Sequence, residues 1–274
     1  MPELPEVETV VRGLKPHLEG RVLAGATVRR DAIRSPIPRD FAKRVAGKRI
    51  LSVERRAKYV WIRLESGDVV IVHLGMSGRL VLLPQHIPNA GPHDHVDFTL
   101  KDGPTIRFTD PRRFGVIDLL RAGELGQDRR FKDLGPEPLD DSFDAGVLAA
   151  ALAGSKAPLK AALLDQRNVA GLGNIYVCEA LFRCGLSPKR KAGTVKRDKM
   201  EALCASIKET LSDAIKAGGS SARDYVQASG ELGWFQHRWR VYDREGVECV
   251  SCATKVKRIV QSGRSTFYCP ICQR

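Results

Sequence analysis

The sequence predicts a multidomain α+β protein, and three observations carry that expectation. From about residue 21 to 121 the chain runs in short Val-, Ile- and Leu-rich segments broken by turn signals. After about residue 142 the apolar spacing becomes helical. The last stretch holds two matched cysteine pairs.

In chain order, Val7, Val10, Val11, Leu14 and Leu18 follow the i, i+3, i+4, i+7 spacing of an amphipathic helix. Pro5 suits its first turn, and Glu6 and Glu8 lie near its positive end. KRILSVERR, YVWIRLE, DVVIVHL and GRLVLL then read as strands, broken by SGD and GMSG, with VDFTL and TIRFTD flanking KDGP. They suggest an antiparallel β-sandwich or barrel with the first helix packed on it. No βαβ alternation supports a dinucleotide fold. GPEPLDD reads as a linker. FDAGVLAAALAG, PLKAALLDQ, NIYVCEALFRCG and a long segment from about Val195 to Lys216 read as helices.

The 274 residues are enough for one large domain or two ordinary ones, and 43% hydrophobic with 28% charged residues is a folded composition. No apolar run approaches the ~20 residues of a membrane span, and the N-terminus lacks a secretory pattern. The expectation is a cytoplasmic protein with no membrane partner. The net charge of +13 favours a polyanionic partner, nucleic acid first, over a merely basic surface.

Cys178, Cys184 and Cys204 lie in helical sequence and read as small buried hydrophobes. The pairs Cys249/Cys252 and Cys269/Cys272 are separated by 16 residues, a spacing that fits a four-thiolate Zn²⁺ site around a β-hairpin. A redox role would need only one such pair. From Cys249 onward the tail has Lys255, Lys257, Arg258, Arg264 and Arg274 but no acidic residue, so it reads as a phosphate-contacting element. In AGLGNIYVCE, Gly171 and Gly173 precede Asn174 at a predicted N-cap. The pattern suits a phosphate at a helix N-terminus and an ordinary helix corner equally well.

Pro2 is a candidate nucleophile. With Met1 removed it carries a secondary amine of pKa ~8, on the order of a tenth of it neutral at pH 7. Attack on a sugar C1′ would give an iminium, an electron sink for β-elimination of phosphate, with Glu3 beside it as acid or base. Physics alone favours reading residue 2 as a frayed end of no consequence.

PELPEVET, RRAKY (Arg55 to Tyr59), HLGMSG (His73 to Gly78), TDPRRFG (Thr109 to Gly115), AGLGNIYVCE and the terminal GRSTFYCPIC occur together and in order. The set resembles the formamidopyrimidine-DNA glycosylase family over essentially the whole chain. The resemblance implies an N-terminal β-sandwich domain over 1–131, a helix–two-turn–helix domain over 132–238 and a four-cysteine zinc-finger hairpin over 239–274. DNA would lie in the cleft between domains. It implies a monomer in bacterial base excision repair, associated with the nucleoid, that acts on damaged double-stranded DNA as glycosylase and AP lyase with one structural zinc.

Carried over by motif, Pro2, Glu3 and Lys58 would be catalytic, with Glu6 holding the N-terminus. Lys58 would contact phosphate beside the lesion, although the residue also suits a strand edge. Met76, Arg112 and Phe114 would fill the gap left by the flipped base; core packing is the alternative for Met76 and Phe114. His73, Arg113, Lys160, Asn174 and Arg264 would contact DNA. The loop from Gly218 to Tyr225, with Gly219, Ser220 and Ser221, would close over the extruded base. GGSS departs from the usual loop, Asp243 and Glu248 stand where glycine and proline are expected, and Trp239 stands where leucine is usual. PELPE argues against the pyrimidine-preferring endonuclease VIII branch. A DNA-binding protein without catalysis is a further alternative, against which Pro2, Glu3 and Lys58 speak.

Overall fold

The computed structural model describes residues 1–84, 87–221 and 224–274. The chain divides into two units: Met1–Lys132 with Ala217–Gln236, and Asp133–Lys216 with His237–Arg274.

The first unit starts with α1 (Leu4–Leu18), which carries Pro5 in its first turn. Its predicted apolar face, Val7 to Leu18, is buried in the main core. Each of these side chains contributes about 1.5–3 kcal/mol by leaving water. Eight strands follow: β1 (Leu23–Val28), β2 (Ile50–Arg56), β3 (Tyr59–Leu64), β4 (Asp68–His73), β5 (Arg79–Leu82), β6 (Asp94–Leu100), β7 (Thr105–Thr109) and β8 (Val116–Arg121). A short helix, α2 (Phe41–Val45), separates β1 from β2 and was not expected from the strand-like sequence around it.

The strands form two antiparallel four-stranded sheets, β1-β6-β7-β5 and β2-β3-β4-β8. Interior strand β4 is buried continuously from Asp68 to Val72, which explains the unbroken apolar run VVIV that follows Asp68. Neighbouring β3 alternates between buried and half-buried positions. The stretch after the long helix, expected within the helical domain, belongs to the first unit. Leu82 donates its N–H to the Ala228 carbonyl at 2.9 Å, and Tyr225 and Ala228 join the sandwich core.

The second unit contains α3 (Ala145–Leu152), α4 (Leu159–Leu164), α5 (Asn174–Arg183), α6 (Arg197–Lys216) and the hairpin β9 (Lys257–Gln261) to β10 (Arg264–Tyr268). Asp144 caps α3 by accepting the Val147 N–H at 2.8 Å. The expected linker is packed rather than free: Gly135 donates to the Gln166 carbonyl and Pro136 accepts from Ala170, at 2.9 and 3.0 Å. Cys178 and Cys204 are buried as expected, whereas Cys184 is half-buried. Among the described residues no helix is long and apolar enough to cross a membrane.

Candidate functional site

In the first unit, the candidate catalytic residues lie where α1 begins. Pro2 and Glu3 are buried, and Glu3 is the N-cap residue of the helix. Its N–H donates to Glu6 Oε2 at 2.8 Å, closing the first turn back on itself. The other Glu6 oxygen accepts the Ser220 N–H at 2.8 Å. One buried carboxylate therefore holds both the N-terminal residues and the predicted base loop, across 214 residues of chain.

Lys58 sits at the tip of the β2–β3 hairpin, whose last pair is Arg56 and Tyr59. Ala57 takes a left-handed φ of 50° to make this turn. Arg55 donates to the Ala57 carbonyl at 3.1 Å and to Glu8 on α1 at 2.9 Å. The hairpin tip is thus tied to α1 through Glu8. Burial alone would raise the Glu8 carboxyl, but bonds and charges from Arg12 and Arg55 outweigh it and hold the group below its usual range.

His73 pairs with Tyr59 across the sheet, ring centroids 4.7 Å apart. Its Nδ1 accepts the Gly75 N–H at 3.0 Å. Burial, then the charges of Lys58 and Arg34, push its pKa down to about 4. At neutral pH the imidazole is uncharged and carries its proton on Nε2. It can offer a neutral hydrogen bond to a phosphate but no charge.

Met76 lies in the turn between β4 and β5, and Arg112, Arg113 and Phe114 in the loop between β7 and β8. The two loops touch closely. A Cβ on Gly75 (φ 63°) would clash with the Phe114 carbonyl group, so this position requires glycine. Met76 is half-buried and Phe114 is 42% exposed, so neither is a fully buried core residue. The Arg112 guanidinium lies over the Phe114 ring, 5.1 Å from its centroid.

The loop expected to close over the extruded base is fixed at both ends, while its residues 222 and 223 lie outside the described residues. Gly219 (φ 82°) packs against Tyr225 and Glu6, where a Cβ would come within 3.1 and 3.2 Å. Ser221 donates its N–H to Gln236 Oε1 at 2.9 Å and its hydroxyl to the Tyr225 carbonyl at 2.8 Å. Its Oγ also accepts the Gly233 N–H at 2.8 Å. Tyr225 is buried; burial, then the Glu6 charge, raises its phenol above the ordinary range.

The second unit holds the remaining predicted contacts. Asn174 is the first residue of α5 rather than its N-cap, which is Gly173. Its Nδ2 is used elsewhere and donates to the Ser265 carbonyl at 3.0 Å. Lys160, expected to contact DNA, is fully buried, and its ammonium donates to that same carbonyl at 3.1 Å. Both side chains therefore support the hairpin beside exposed Arg264. Glu179, which sequence reasoning did not single out, accepts the N–H groups of Arg240, Val241 and Tyr242 at 2.8–3.0 Å. Nothing in its helical sequence context marks it as an anchor.

Cys249, Cys252, Cys269 and Cys272 bring their Sγ atoms within 4.8 Å of one another. The 249–272 and 252–269 separations are 3.9 and 3.4 Å. Tetrahedral zinc with Zn–S bonds of about 2.3 Å requires S···S distances of about 3.8 Å, so the four thiolates fit one structural Zn²⁺.

Family comparisons match this arrangement along the chain. The formamidopyrimidine-DNA glycosylase N-terminal domain matches residues 1–117, and the H2TH domain of the same enzymes residues 134–226. The zinc finger found in FPG and IleRS matches residues 246–274. A formamidopyrimidine-DNA glycosylase from a Bradyrhizobium strain is 53% identical, with all of both chains covered. The crystal structure of the MutM (FPG) protein from Thermus thermophilus superposes with a TM-score of 0.88 at 41% identity, covering 99% of this chain and 98% of that one. The wild-type Lactococcus lactis Fpg, in complex with DNA containing N7-benzyl-Fapy-dG, gives 0.89 at 33% with both chains fully covered. With its sandwich, its helical unit and its four-cysteine finger all matched, the chain belongs to the formamidopyrimidine-DNA glycosylase family of DNA repair enzymes.

Proposed function

We propose that this enzyme excises oxidised purines, 8-oxoguanine and formamidopyrimidines, from duplex DNA and then cleaves the strand by β,δ-elimination. The observation that carries the reading is Glu6, whose two oxygens tie the Glu3 backbone to the Ser220 backbone. A nucleophile fixed against the base loop is what coupled base recognition and attack require. The L. lactis relative, bound to DNA with a modified Fapy-dG, supports the purine class.

In this reading Met1 is removed, and the neutral Pro2 nitrogen attacks C1′ of the flipped nucleotide as the base departs. Glu3 protonates the opening sugar, leaving an iminium at C1′. Loss of a C2′ proton expels the 3′ phosphate, and a second elimination expels the 5′ phosphate. Water then hydrolyses the adduct and returns the amine. Lys58 and neutral His73 hold phosphates beside the lesion, while Met76, Arg112 and Phe114 occupy the vacated stack. Arg113, Asn174 and Arg264 bind the backbone, with Lys160 and Asn174 fixing the hairpin that carries Arg264. Zinc, when bound by its four cysteines, supplies folding energy to the finger and no chemistry.

Borohydride trapping tests the reading. Zinc-loaded protein with an 8-oxoguanine duplex should give a covalent adduct whose peptide maps to Pro2. No adduct, or an adduct on a lysine, would overturn the Pro2 mechanism. Faster release of thymine glycol than of 8-oxoguanine would overturn the purine preference.

A further inference from the structure

The Met76 turn and the Arg112–Phe114 loop each cross from one sheet to the other, and they are joined by one hydroxyl and one carboxylate. Asp110 is fully buried and Ser77 is 3% exposed. Ser77 Oγ donates to Asp110 Oδ1 at 2.6 Å and accepts the Arg112 N–H at 3.1 Å. The other Asp110 oxygen accepts the Gly115 N–H at 2.7 Å. The Arg112 amide, the Ser77 hydroxyl and the Asp110 carboxylate thus form a continuous donor chain, and its last link is charge-assisted. Asp110 is itself held from behind: its N–H donates to the His93 carbonyl, and its carbonyl lies 2.9 Å from His95 Nε2.

The same carbonyl accepts the Arg113 N–H at 3.3 Å, and Arg113 takes a left-handed φ of 58°. A non-glycine residue in that region is strained and persists only where its surroundings enforce it. The kink lies between Arg112 and Phe114, the two residues whose side chains stack on each other. The bonds that fasten this loop to the Met76 turn therefore also hold the backbone that aims both side chains.

We propose that Ser77 and Asp110 form a clamp that locks the Met76 turn and the Arg112–Phe114 loop into one rigid insertion unit, with Ser77 as a positioning residue for lesion recognition. The inference rests on the proposed insertion of Met76, Arg112 and Phe114 into the base stack. Rigid loops enter the duplex already in their bound form. Separate loops would spend binding energy on being ordered, and insertion would slow while phosphate contacts stayed intact.

The test compares Ser77→Thr with Ser77→Val in zinc-loaded, full-length protein. The two side chains have the same shape and differ only in the hydroxyl, so the added bulk cancels. The probe is a duplex carrying a tetrahydrofuran abasic analogue beside 2-aminopurine, whose fluorescence follows unstacking at the lesion. Val should slow the insertion phase about tenfold relative to Thr, from loss of a charge-assisted hydrogen bond. Affinity for undamaged duplex should stay within twofold. Hydrogen exchange of the Arg112 amide should accelerate in Val and not in Thr. Equal insertion rates in the two variants overturn the clamp, as does slowed insertion with unchanged Arg112 exchange. Met76→Ala separates the two layers. If it inserts at the wild-type rate, the insertion role of Met76 fails, while the exchange comparison still decides whether the clamp exists.

Discussion

The two units fix their functional residues by different means. In the first, a large apolar sandwich carries the load, and buried carboxylates on it hold the loops: Glu6 the N-terminal residues and Ser220, Asp110 the turn at Ser77 and the loop before Gly115. The finger in the second unit has only a small cluster around Cys178, Phe182, Val241, Val256, Phe267 and its own cysteines. Its hairpin is held by two side-chain donors on the single Ser265 carbonyl, and its base by Glu179. Where apolar area is scarce, a metal and a few polar bonds must replace it.

Zinc removal is the sharpest way to break the comparison. Structural Zn²⁺ supplies roughly 10 kcal/mol or more of folding free energy to such small domains. Chelation should therefore abolish exchange protection from Cys249 to Arg274 and with it duplex affinity. Protection of β2, β3, β4 and β8 should persist. Collapse of both units together, seen as simultaneous loss of protection in the sandwich strands, would show that the finger is not the separately supported element described here.

Acid should weaken the first unit through His73. The unfolded imidazole takes a proton near pH 6.5, whereas the folded one resists until about 4. Its neutral form stabilises the fold fully above 6.5, and that contribution is lost as pH falls through 4, by about 3 kcal/mol. Urea melts of wild type and His73→Gln between pH 7 and 4 should show a steeper decline for wild type. Parallel declines would remove His73 from the account.

The smallest expected effect lies at the approach to the finger. Asp243 takes a left-handed φ of 56°, the conformation that makes glycine the expected residue there. Asp243→Gly should stabilise the zinc-loaded protein by up to about 1 kcal/mol in denaturant melts. A loss of stability would mean that the aspartate side chain, rather than the backbone, sets this turn.

Features that depend on near neighbours were readable from the sequence alone. The period of Val7 to Leu18, the strand runs, the four metal ligands and the ordered family motifs all express local spacing. Contacts between distant segments were not readable. The tertiary structure alone returned Ala217–Gln236 to the first unit, packed GPEP against Gln166 and Ala170, buried Lys160, and moved Asn174 one place past the cap. It also decided that Glu6 reaches Ser220 and that Ser77 reaches Asp110. Such bonds join residues far apart in the chain, and no local propensity encodes them. Only the packed sandwich brings them within 3 Å, in a dry interior where each unmade hydrogen bond is costly.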